Sequence, residues 1–161
     1  MAVTFAVQRG GFGYLLSKGA GGSSRYYSIY VRRSDRRLLF FYRSEGDSKQ
    51  RSVILAPETA IADGTEYTLL VGVSGDAIYT TLISSSNSIS SDGGVGNGAG
   101  GAHISTRAEG RLAGGAVDDC GGVRSDTCTF HIGQRNGGYR LTHGCITSAT
   151  IYPDAVLSKI P

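Results

Sequence analysis

Apolar and polar residues alternate along most of the chain in short runs, not with the three-to-four-residue period of a helix. No stretch of eleven or more residues places apolar side chains at i, i+3, i+4 and i+7 with caps at both ends. Runs rich in Tyr, Val, Ile, Thr and Phe, bounded by Gly, Ser, Asn and Asp, fall at Thr4–Gln8, Gly13–Ser17, Tyr26–Val31, Leu38–Arg43, Ser52–Leu55, Tyr67–Val73, Ile78–Ile83, Thr129–Gly133 and Cys145–Tyr152. They predict nine short strands. Turn residues separate them: Arg33-Ser34-Asp35-Arg36 as a hairpin tip, Ser74-Gly75-Asp76 as a second, and Ala62-Asp63-Gly64-Thr65 leading into a strand. Sequential hairpins give an antiparallel meander, and the pattern as a whole predicts an all-β sandwich of two antiparallel sheets. In Tyr26–Val31, strand alternation puts Tyr27, Ile29 and Val31 on one face and Tyr26, Ser28 and Tyr30 on the other.

The alternation stops between Ser84 and Gly122. A serine-rich stretch there runs into Gly93-Gly94-Val95-Gly96-Asn97-Gly98-Ala99-Gly100-Gly101, low-complexity material with little to bury. It reads as a long loop or insertion at about 84–122, either a plain surface connection or a functional loop, with Ile104–Leu112 as one further short strand. Eleven of the 25 glycines lie in Gly93–Gly122, so the glycine excess marks this insertion and not the fold class. At 161 residues the chain suits one domain. It carries no apolar run of about 18 residues that would span a membrane and no leader-like start. Three cysteines, Cys120, Cys128 and Cys145, are too few for a disulfide framework. An odd count in a secreted chain implies a free thiol or an outside partner.

Charge changes the picture most. Arg25, Arg32, Arg33, Arg36, Arg37, Arg43, Lys49 and Arg51 are eight of the 16 basic residues, within 27 positions and opposed only by Asp35, Glu45 and Asp47. The segment carries +5 and the rest of the chain −2. Guanidinium forks pair bidentately with oxyanions, and clustering raises the local potential. The segment is therefore the candidate polyanion-binding site, against the plainer reading of a solvated hairpin whose arginines protect an edge. No recognition helix or RNA-binding aromatic motif accompanies it, which disfavours nucleic acid. Tyr26, Tyr30 and Tyr42 read as core or rim before they read as an aromatic binding surface.

Other chemistry is thin. Cys120, Cys128, His131, His143 and Cys145 could be assembled into a zinc set, but the seven-residue gap between the first two does not fit structural zinc spacing. His131 is expected to face solvent between inward Phe130 and Ile132. For a glycosidase, Glu45-Gly46-Asp47 lacks a second glutamate, Gln50 standing in its place. There is no nucleophile elbow and no phosphate loop. The chain does not read as an enzyme.

The segments Gly13–Gly19, Arg25–Arg32 and Leu38–Arg43 resemble the opening of a laminin G-like domain of the concanavalin A-like superfamily, nearest the thrombospondin N-terminal type. Ile61–Val71, Phe130–Gln134 with Gly144-Cys145-Ile146, and Ala149–Ser158 are similar to that family's later strands, in the same order. The resemblance covers about residues 12–83 and 128–158. It implies a two-sheet jelly-roll sandwich in an extracellular or cell-surface protein, as an adhesion or ligand-binding module. A sulfated glycosaminoglycan or an extracellular protein would be its partner, and the chain would be part of a larger multidomain protein. The alternative is a protein–protein or self-association module without glycan binding. In the family the Gly-Cys cysteine commonly pairs further downstream, and nothing follows Pro161. The resemblance thus leaves Cys145 unpaired with Cys120 joined to Cys128, or a bridge from Cys145 to one of those two. Calcium is disfavoured, because Arg25 stands where calcium-binding members place an aspartate. Asp76, Asp118, Asp119 and Asp126 are available in loops, and a different site near Asp118-Asp119 stays open.

Overall fold

The computed structural model describes residues 1–19, 25–44, 49–57, 59–74, 77–85, 102–107, 130–135 and 139–150; of 25, 26, 73, 74 and 102–107 only the backbone is described. The described residues form ten strands and no helix: β1 (Ala2–Val7), β2 (Gly13–Gly19), β3 (Arg25–Val31), β4 (Leu38–Arg43), β5 (Gln50–Leu55), β6 (Glu66–Ser74), β7 (Ala77–Ser84), β8 (Ala102–Arg107), β9 (Phe130–Ile132) and β10 (Gly144–Thr150). All nine expected runs appear as strands, Leu38–Arg43 with the expected bounds. The further strand falls at Ala102–Arg107, overlapping the first part of Ile104–Leu112.

The strands make two five-stranded antiparallel sheets, in the orders β10-β1-β6-β7-β8 and β5-β4-β3-β2-β9. Consecutive antiparallel pairings supply β2 to β5 in one sheet and β6 to β8 in the other, β8 joining β7 across the much longer connection that begins at Ser85. The inward rows alternate as expected. Val3, Phe5 and Val7 of β1 and Tyr67, Leu69 and Val71 of β6 meet Ile29 and Val31 of β3 and Leu38, Phe40 and Tyr42 of β4 in one buried core. Tyr27 joins that core at its margin, its ring 6.1 Å from Phe40 and 5.8 Å from Phe130.

Two departures from simple alternation have local causes. A register shift between Tyr14 and Leu16 inserts an extra residue in β2, and both Leu15 and Leu16 enter the core. Ile132 pairs with Leu16 on the inward row yet is 53% exposed, because β9 is an edge strand. Between Ile78 and Leu82 on the inward row of β7 stands Thr80, whose hydroxyl is buried and has no hydrogen-bond partner.

Candidate functional site

Strand direction splits the basic segment in two. β3 ends and β4 begins at the Arg32–Arg37 connection, whereas Arg25 opens β3, Arg43 closes β4 and Lys49 and Arg51 flank the start of β5. The two groups sit at opposite ends of the sheet, a strand length apart, or about 20 Å at roughly 3.3 Å per residue. At the far end Arg51 pairs with Tyr42 and Arg43 with Gln50, and Arg43, Lys49 and Arg51 are each engaged with neighbouring groups. The Arg25 side chain lies outside the described residues.

The hairpin end gathers other loops around the Arg32–Arg37 tip. Gly13 pairs with Val31, Leu38 with both Val31 and Leu55, Val7 with Gly144 and Ala6 with Glu66. The connections 8–12, 32–37, 56–65 and 133–143 therefore all close that end of the sandwich. They bring Arg9, Arg135 and Arg140 to the four hairpin arginines, against Asp35 and Asp63, a net charge of +5 among the described residues there in a chain whose total is +3. Arg9, Arg33 and Arg140 are exposed. Sequence reasoning missed Arg9, Arg135 and Arg140 because they are 23 or more positions from the hairpin tip and no local charge run announces them.

The four hairpin arginines have four different situations. Arg32 forks onto Asp35, its Nε donating at 2.7 Å to Oδ1 and its Nη2 to Oδ2. Arg37 adds its backbone N–H to Asp35 Oδ1 at 3.3 Å, with its Nε 3.8 Å from Oδ2. Arg33 is exposed and lies over the Phe12 ring, 5.2 Å from its centroid. Arg36 turns inward with a left-handed backbone, φ 61°, and only 18% of its side chain is exposed. Its guanidinium donates to Val7 O at 3.1 Å, Gln8 O at 3.2 Å, Ile61 O at 3.2 Å, Gly11 O, and Asp63 Oδ1 at 2.8 Å. Arg36 is thus a structural pin joining three loops, and its charge is largely matched by Asp63.

The Arg32 fork is the main cause that lowers the Asp35 carboxyl to about 2; partial burial opposes it, and the Arg37 N–H and the two guanidinium charges reinforce it. A carboxyl lowered on folding contributes stability in full above its unfolded value near ~3.9 and loses it as pH falls through the folded value. The melting temperatures of the wild type and Asp35→Asn should differ by a constant gap from about pH 7 to about pH 5. That gap should narrow between about pH 4 and pH 2. A gap unchanged at pH 2 would show that the ionised carboxylate is not its source.

The tyrosines divide by face. Tyr42 is buried in the core, 6.1 Å from Phe40, whereas Tyr30 is half-buried on the outer face between Tyr14 and Phe41. The Tyr26 side chain is outside the described residues. His131 is half-buried on the same outer face, its Nε2 out of water and without a partner.

Cys145 is a free, exposed thiol on β10, and no disulfide forms among the described residues. Cys120, Cys128, Asp76, Asp118, Asp119, Asp126, Glu45 and Asp47 lie outside them, as does most of the 84–122 tract. Among the described residues no group of three or more His, Cys, Asp or Glu side chains is placed to hold a metal ion. No family model matches the chain, and no curated protein and no solved structure matches it either.

Proposed function

We propose that the chain is a ligand-binding β-sandwich of the laminin G-like type from an extracellular or cell-surface protein, and that it captures a sulfated glycosaminoglycan at its hairpin end. The observation that carries this reading is the convergence of seven arginines from three connections at one end of the sandwich. Exposed guanidiniums with few opposing carboxylates attract a polyanion by charge-assisted pairing, and binding weakens steeply with salt. A second feature supports a binding role there. Among the described residues the three non-glycine residues with positive φ, Arg36, Ala56 and His143, all lie in connections at that end, and backbone strain tends to cluster at functional loops.

The binding reading is tested by comparing heparin with a plain cation exchanger of equal charge density. The chain should elute from heparin at the higher salt. Replacing Arg9, Arg33, Arg37 and Arg140 together by alanine should remove most of that difference, while replacing Arg43, Lys49 and Arg51 should remove little. Equal elution from both matrices, or an equal loss from the two sets of substitutions, would defeat the reading. Self-association is the second reading, and its support is that β9 and β10 are edge strands with Ile132 exposed and most of β10 exposed. A monomer by light scattering at high protein concentration would dismiss it.

A further inference from the structure

The outer face of the second sheet, next to the hairpin end, holds a group of side chains that the basic segment does not include. Tyr14 of β2 and Tyr30 of β3 are cross-strand partners with ring centroids 4.8 Å apart, edge to face. Each has an arginine beside it. Arg135 donates from Nη1 to the Tyr14 hydroxyl at 3.5 Å, and its guanidinium lies between two rings, 4.5 Å from the Tyr139 centroid and 5.9 Å from that of Tyr14. Arg33, held over Phe12, is within electrostatic reach of the Tyr30 hydroxyl.

The placement of Arg135 is built by the fold. The backbone N–H of Arg135 donates to Tyr139 O at 2.7 Å, and Gln134 bridges to Arg140 in antiparallel fashion, so 134–135 and 139–140 lie side by side. Two bonds fasten this pair of segments to β2: Ser17 Oγ donates to Gln134 O at 3.1 Å and Gly133 N to Leu15 O at 2.8 Å. Neither Arg33 nor Arg135 has a carboxylate partner among the described residues, in contrast to Arg32 and Arg36. The Arg135 Nε–H is out of water with no acceptor, a cost that the fold bears to hold the guanidinium between the two rings.

We propose that Arg33, Arg135 and the Tyr30 hydroxyl form a subsite for one tetrahedral oxyanion, the sulfate group of a sulfated sugar, with the exposed Tyr139 ring beside it for the sugar's apolar face. This rests on the glycan reading above and assigns its affinity to a particular place. Aromatic stacking orients a guanidinium and leaves its edge free to donate, so less side-chain freedom is lost when an oxyanion arrives. Burial and the neighbouring Tyr14 raise the Tyr30 hydroxyl above its ordinary value while Arg33 lowers it; the net is upward, and Tyr30 is a neutral donor at physiological pH. An unpartnered guanidinium gives more to an oxyanion than one already matched by a carboxylate, so Arg33 and Arg135 outrank Arg32 and Arg36 as contacts.

The test follows the arginine Nε–H resonances of the intact chain during titration with sodium sulfate, with sodium acetate as the carboxylate arm at matched ionic strength. The Arg33 and Arg135 signals should move along one saturating curve with sulfate and far less with acetate. Arg135→Gln should weaken sulfate binding about tenfold or more, the range expected for a lost charge-assisted hydrogen bond. Tyr30→Phe should weaken it a few-fold, and Arg37→Gln less than twofold. Arg135→Lys, which keeps the charge and loses the fork, should resemble Arg135→Gln, and it serves if the glutamine variant does not fold. Independent movement of the two signals, equal response to acetate, or an equal effect of Arg37→Gln would overturn the subsite. Heparin preference without saturable sulfate binding would leave the glycan reading standing and the subsite refuted. Saturable sulfate binding without heparin preference would keep the oxyanion site and remove the sugar as its source.

Discussion

Arg36→Ala should lower the stability of the chain by about 3–5 kcal/mol, the scale of a broken buried ionic network. One guanidinium satisfies the carbonyls of Val7, Gln8, Gly11 and Ile61 and the carboxylate of Asp63, and the Arg36 carbonyl accepts from Ile61 N at 2.9 Å. Truncation strands several part-buried acceptors at once, each worth about 1–3 kcal/mol when desolvated, although water entering the cavity offsets some of this. For a chain of this length each kcal/mol moves the melting temperature by about 2–4 °C, so a fall of about 6–20 °C is expected in a thermal melt. Lysine cannot rescue the site, because its single ammonium cannot reach five acceptors in a fork. Glycine should do better than alanine by about 1 kcal/mol, since φ 61° strains any residue with a Cβ. Arg33→Ala, by contrast, should leave the melting temperature within a degree or two. If Arg36→Ala and Arg33→Ala melted together, the pin would be refuted.

These two arginines mark the line between what was legible in the sequence and what was not. Strand existence was legible because period-two alternation and turn chemistry are local; even the tip at Arg33-Ser34-Asp35-Arg36 forms as its residues suggest, with Arg36 N donating to Arg32 O at 3.0 Å. The division of duties within Arg32-Arg33-Ser34-Asp35-Arg36-Arg37 was not, because four identical side chains differ only in what the fold sets against them. Arg36 meets carbonyls from two other connections, and such partners are 25 or more positions away. The apparent single basic segment hid a geometric fact that strand direction alone supplies: a six-residue strand carries Arg43 away from Arg37. Charge counted along the chain is therefore a poor guide to charge in space for a meander. The bulge at Leu15 escaped as well, since the consecutive apolar run Tyr14-Leu15-Leu16 reads equally as a strand buried on both faces.

The same long-range contacts give the second large effect. Gly13→Ala should destabilise the chain by about 3 kcal/mol or more and should also loosen the hairpin-end loops. Gly13 has φ +132°, and a Cβ there would stand 2.3 Å from Arg140 O and 2.7 Å from Leu141 Cα. Both are backbone atoms, so no rotamer change relieves the clash, and the 133–143 connection must move bodily. That connection is bound to the β1–β2 turn by Thr142 N donating to Phe12 O at 2.8 Å and by Phe12 N donating to Thr142 Oγ1 at 3.1 Å. A shift at Gly13 thus moves Phe12, on which Arg33 rests, and Arg140 together. The expected result in a melt is a fall of at least about 6 °C. Heparin affinity of the folded fraction should fall as well, although no charge is removed. Gly10→Ala is the control: its Cβ meets nothing within 4 Å, and its φ of +76° carries only the backbone cost, about 1–2 kcal/mol. If Gly13→Ala lowered stability without changing heparin elution, the loops would not be coupled through this contact. Undiminished stability would refute the close approach itself. The glycine therefore acts on binding through backbone packing alone, which separates position from charge at the hairpin end.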